Sequence, residues 1–149
     1  KTWDRFSVEL AEDETSYTYY CFGGDDSKAY DEFFIGIYIP NGSTVGSVRI
    51  NGLGGSPKFV QINGITPNRD LYLWIKGKII SDFGLCDAVA SIGYNKERII
   101  IAANQQINNY LVGAAGVDFL SNEVWSKPNG FQIGIGPLIS GAKIYVYAR

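Results

Sequence analysis

Fifteen carboxylates and not one histidine stand in this 149-residue chain, and that imbalance limits the chemistry open to it. Without His, the Ser-His-Asp and Cys-His forms of nucleophilic catalysis are excluded, and the commonest metal ligand near neutral pH is missing. The acids cluster most densely in "GGDDSKAYDE". There Asp25, Asp26 and Asp31, with Glu32, would offer hard oxygens, and Gly23-Gly24 would permit a tight loop. Calcium takes about six to eight oxygens, some from backbone. The spacing is not that of an EF-hand, so the simpler expectation is a solvated acidic loop and no cofactor, with calcium as the one ion it would take. A glycoside hydrolase would need two carboxylates placed across a sugar. Asp82, Asp87, Asp118 and Glu123 lie near apolar or aromatic residues, but the sequence singles out no pair among them. No phosphate loop or metalloprotease pattern is present. No catalytic residue is assigned.

Aromatic and amide side chains offer more. The chain has ten Tyr, eight Phe and three Trp. Tyr and Trp join a flat apolar face to a polar edge. The C–H faces of sugar rings stack on such surfaces, while Asn and Gln hydrogen-bond the hydroxyls. The candidate platforms are Trp125, Trp74, Tyr72 and Tyr110. The candidate hydroxyl partners are Asn104, Gln106, Asn108 and Asn122, in "NQQINNY" and "SNEVWSKPNG". Trp125 is preferred because it precedes a Pro-Asn-Gly turn, and loops carry function. Its other reading is a plug closing one end of the fold. "NQQINNY" also reads as a polar hairpin turn.

Strands must position these residues. "DLYLWIKGKI" alternates strictly, with Leu71, Leu73 and Ile75 on a core side and Tyr72, Trp74 and Lys76 on the other. The second side would pack under a loop, meet another subunit, serve as a ligand platform or be buried in its turn. Further runs read as strands: "RFSVEL", "SYTYYCF", "EFFIGIYI", "VGSVRI", "KFVQI", "AVASIGY", "RIIIAA", "YLVGAA", "FQIGI" and "KIYVYA". Asn-Gly pairs and glycine-rich segments punctuate them, as tight turns require. No long helical period and no linker interrupts the pattern. The expectation is one all-β domain over residues 1–149, an antiparallel jelly-roll-like β-sandwich. Immunoglobulin topology fits less well, since no Asp-x-Tyr-x-Cys pattern accompanies the second cysteine.

The closing segment, "FQIGIGPLISGAKIYVYAR", resembles the last strands of laminin-G and concanavalin-like sandwich domains. Phe131, Ile133, Gly134, Gly141, Ile144, Val146 and Tyr147 carry that resemblance over 19 of 149 residues. It implies a β-sandwich of a kind that binds glycans or matrix partners and recurs on viral and phage tail and fibre proteins. It carries over no calcium ligands and no site residues.

Net charge of −2 supplies no basic field for nucleic acid, and no apolar run is long enough for membrane insertion. Beginning at Lys1 and lacking Met, the chain reads as a processed protein or an excised domain. Cys21 and Cys86 are either two buried thiols or a disulfide closing a long loop. Asn41-Gly42-Ser43 is a single glycosylation sequon. Long apolar strands and sheet edges need cover, so a homo-oligomer such as a trimer is expected. The leading expectation is a noncatalytic module binding a glycan or cell-surface receptor, extracellular or on a virion surface, such as a fibre tip. The alternatives are a structural oligomerising fibre head or capsid-like domain, and a carboxylate-dependent glycoside hydrolase.

Overall fold

The structure is a computed structural model. It describes residues 2–54, 59–63, 65, 69–83, 85–94, 99–104, 110–112, 115–119 and 126–149. Within these residues the chain forms twelve strands: β1 (Asp4–Glu9), β2 (Thr18–Gly23), β3 (Glu32–Ile39), β4 (Ser47–Leu53), β5 (Phe59–Asn63), β6 (Leu71–Ile80), β7 (Leu85–Tyr94), β8 (Ile99–Asn104), β9 (Tyr110–Val112), β10 (Ala115–Phe119), β11 (Gly130–Ile135) and β12 (Lys143–Ala148). A 3-10 turn, Ser81–Phe83, joins β6 to β7. The strands form two six-stranded sheets. The front sheet runs β1-β12-β3-β6-β7-β8 and the back sheet β2-β11-β4-β5-β10-β9. Every strand pairing is antiparallel. The chain crosses between the sheets repeatedly and ends with β12 beside β1, the jelly-roll-like β-sandwich that the strand pattern predicts.

Alternation supplies the core. The front sheet turns Phe33, Ile35, Ile37 and Ile39 of β3, Leu71, Leu73 and Ile75 of β6, and Ile144 and Val146 of β12 inward. The back sheet answers with Phe22, Val48, Ile50, Ile62, Phe131, Ile133 and Ile135. All belong to one buried cluster, and the Phe33 and Phe131 rings meet across the two sheets at 5.0 Å between centroids. Burying each such side chain contributes on the order of 1.5–3 kcal/mol. β3, "EFFIGIYI", is therefore a central strand whose apolar inner side is taken up by the core.

One closely packed point sits under β6. A Cβ at Gly77 would stand 2.2 Å from Cζ of the buried Phe33 ring, so glycine is required for that ring to fit.

The disulfide reading of the cysteines is corrected, and so is the burial expected of Cys21. Cys21 is a free, exposed thiol. It occupies an outward position of β2 in the back sheet, whereas Cys86 lies on β7 in the front sheet. Alternation explains this: Phe22 and Tyr20 take the inward positions beside it. The sequence reads "YLVGAA" as one run, whereas the structure divides this stretch into β9 and a separate strand, β10, "AGVDF".

Candidate functional site

A sandwich buries one side of each sheet, and the other side is ordinarily polar. The outer side of the front sheet departs from this. β3 alternation puts Phe34 and Tyr38 outward, β6 puts Tyr72 and Trp74 outward, and β12 does the same with Tyr145 and Tyr147. These strands are neighbours, so the six rings share one surface. Their register is direct: Tyr147 lies opposite Phe34, Tyr38 opposite Tyr72, and Tyr145 and Trp74 flank Gly36 from either side.

The rings touch as that register requires. Phe34 and Trp74 meet at 4.9 Å between centroids, Tyr38 and Tyr72 at 5.1 Å, and Phe34 and Tyr147 at 6.2 Å. Gly36 makes room at the centre. The six-membered ring of Trp74 passes 3.3 Å from where a Cβ at position 36 would stand. The indole keeps 37% of its surface exposed and Tyr145 keeps 39%. Phe34 and Gly36 hold the rest of the indole, so little rotamer freedom of Trp74 remains to be lost on binding.

Charges border the rings. Arg149 Nε donates to Glu32 Oε2 at 2.7 Å, and its guanidinium lies 4.3 Å from the centre of the Trp3 ring. That hydrogen bond, chiefly, holds the Glu32 carboxyl below the usual glutamate range, with Lys78 and Lys76 adding to the effect. Arg5 stands over Tyr147 at 5.8 Å. Burial, above all, raises the Tyr38 phenol, and the nearby Asp70 carboxylate adds to it. A groove of about 610 Å³ opens at this end of the face, lined among others by Trp3, Phe34, Lys76, Lys78, Asp87 and Tyr147.

Of the residues that the sequence nominates, Trp74 and Tyr72 lie on this face. Asn104 ends β8 at the register position opposite Asp87, on the same sheet, and Tyr110 begins β9 on the back sheet. Trp125, Gln106, Asn108 and Asn122 lie outside the described residues.

The acids of the "GGDD" loop have separate protein partners. Asp25 Oδ1 accepts from the backbone N–H and the hydroxyl of Ser27, at 2.9 and 2.8 Å, which holds its carboxyl below the usual range. Asp26 accepts from Asn129 Nδ2 at 3.3 Å, and Asp31 pairs with Lys127 at 2.8 Å. Among the described residues, no group of three acids converges as a cation would need.

Phe34, Tyr38, Tyr145 and Tyr147 are the residues that sequence reasoning passed over. Their signal was present: "EFFIGIYI" and "KIYVYA" alternate as plainly as β6 does. Reading those runs only as apolar strands hid their second side.

No known family matches the chain's sequence, and no curated protein does. Among solved structures, the chain is similar to lectin I from Ulex europaeus, determined with the methyl glycoside of α-L-fucose. The identity is 10%, 97% of this chain and 98% of that one are covered, and the TM-score is 0.35. It is also similar to arcelin-5, a lectin-like defence protein from Phaseolus vulgaris. There the identity is 8%, the coverage 97% and 99%, and the TM-score 0.35. At that level of similarity, the fold and the site rest on this chain's own strands and side chains.

Proposed function

We propose that the chain is a noncatalytic carbohydrate-binding module whose platform is the outer aromatic side of the front sheet. One observation carries the proposal: six aromatic side chains from the adjacent strands β12, β3 and β6 lie on one outer side of the sheet, with Tyr147, Phe34 and Trp74 in ring contact and Trp74 partly exposed over Gly36. Phenol edges accompany apolar ring faces there, which is the pairing that a sugar's C–H faces and hydroxyls require. From Phe34 to Tyr38 the strand advances about 13 Å at roughly 3.3 Å per residue, enough for a short oligosaccharide rather than a single ring. Two carboxylates border the face, Glu32 and Asp87, and Glu32 is tied to Arg149. The role assigned is recognition. Its setting would be extracellular, at a cell or virion surface, where a fibre tip or a secreted module meets its receptor. A homo-oligomer would present several such faces together and gain avidity.

A glycan array probed with the chain and with Trp74→Ala, each with and without calcium, tests this. The expected result is retention of a defined glycan set by the parent and its loss by the variant. The variant's melting temperature should stay within a few degrees of the parent's, because Trp74 is a surface ring. Binding of no glycan, or equal retention by both proteins, would overturn the proposal.

A further inference from the structure

The groove at the end of the aromatic face carries a charge pattern that narrows the ligand. Of its lining residues, Lys76, Lys78 and Arg149 are cations and Glu32 and Asp87 are anions. Arg149 and Glu32 neutralise each other at 2.7 Å. That leaves two lysines and one carboxylate. The register divides them further. Lys78 sits between Glu32 on β3 and Asp87 on β7, a carboxylate on either side. Lys76 sits between Phe34 and Val89, with no acid opposite on either neighbouring strand. Among the described residues, neither lysine closes an ion pair within 4.0 Å. A surplus positive charge in an aromatic-lined groove is notable in a chain whose net charge is −2.

We infer that this groove selects saccharides bearing a negative group, a carboxylate or a sulfate, with Lys76 as the residue that meets the anion. The inference rests on the carbohydrate-binding reading above and specifies its ligand class. The sugar ring stacks against Trp74 and Phe34, and the anionic substituent reaches Lys76 one position along the same outward row of β6. The aromatic walls lower the local polarity, so the attraction exceeds that between ions in open water. It remains partly exposed and weakens as salt rises.

The test is a titration of the chain with oligosaccharide pairs that differ only in the charged group. Suitable pairs are sialyllactose and its methyl ester, oligogalacturonate and its methyl ester, and sulfated and unsulfated galacto-oligosaccharides. The parent should bind at least one charged member about tenfold more tightly than its neutral twin, the size of one charge-assisted hydrogen bond. That gap should close in Lys76→Gln, survive in Lys76→Arg and shrink at high salt. The carboxylate and sulfate arms show which anion is favoured, and a gap in either supports the inference. Equal affinity for charged and neutral twins, or a gap that persists in Lys76→Gln, would overturn it and leave carbohydrate binding intact. Failure of every saccharide to bind the parent would remove both readings together.

Discussion

The indole of Trp74 stands over the front sheet because Gly36, opposite it on β3, has no side chain to displace it. Phe34 then braces the ring from the side at 4.9 Å. Gly36→Val should therefore tilt the indole and weaken glycan binding, while the core beneath is untouched. A glycan titration beside a melting curve checks this; unchanged affinity would show that the ring's pose is not set by Gly36. A second residue-level prediction concerns Tyr30. Its hydroxyl donates to Asp4 Oδ2 at 2.6 Å. Burial first, and that contact next, push the phenol from 10.0 up to about 12. A raised folded pKa favours the protonated form in the native state. The stabilisation is complete below the unfolded value near 10 and is lost as pH climbs towards about 12. The parent should lose melting temperature over that interval more steeply than Tyr30→Phe, which has no phenol to ionise at that position. Parallel curves for the two proteins would contradict the assignment.

At the scale of elements, β6 shows what a strand's sequence reveals. Strict alternation put Leu71, Leu73 and Ile75 on the core side, and all three are buried there. Leu73→Ala should cost about 2–5 kcal/mol by leaving a cavity, measured by denaturant unfolding. A loss under about 0.5 kcal/mol would mean the site collapses without penalty. Gly77→Ala should cost about 1–3 kcal/mol for the opposite reason, since the added methyl meets the Phe33 ring. The same alternation was legible in β3 and β12. What it could not reveal is which strands lie side by side. Phe34, Tyr145 and Trp74 are far apart in sequence, and only the order β12-β3-β6 makes them one surface. The partners of the acidic loop were hidden for a related reason. Four acids in ten residues suggest a shared ligand, yet Lys127 and Asn129, about a hundred positions away, take two of them individually.

For the whole molecule, two sheets share one core, and their outer sides differ in character. The back sheet's outer side holds a polar row, with Asn51 Nδ2 donating to Gln132 Oε1 at 2.9 Å and Gln132 Nε2 reaching Cys21 Sγ at 3.6 Å. It also has an aromatic pair near its β2 edge, Tyr17 and Tyr19, whose centroids are 5.4 Å apart. The front sheet's outer side holds the larger ring surface and the groove beside it. The all-β class was open to the sequence because period-two alternation and turn residues are local signals. The division of labour between the sheets was not, because it depends on long-range pairing. The most direct test is a residue-resolved nuclear magnetic resonance titration with a glycan that the chain retains. Shifts of the Trp74 indole N–H and of the Tyr72, Tyr145 and Tyr147 rings are expected, with Tyr17 and Tyr19 unmoved. Shifts confined to Tyr17, Tyr19 and the back sheet, with Trp74 unchanged, would contradict it.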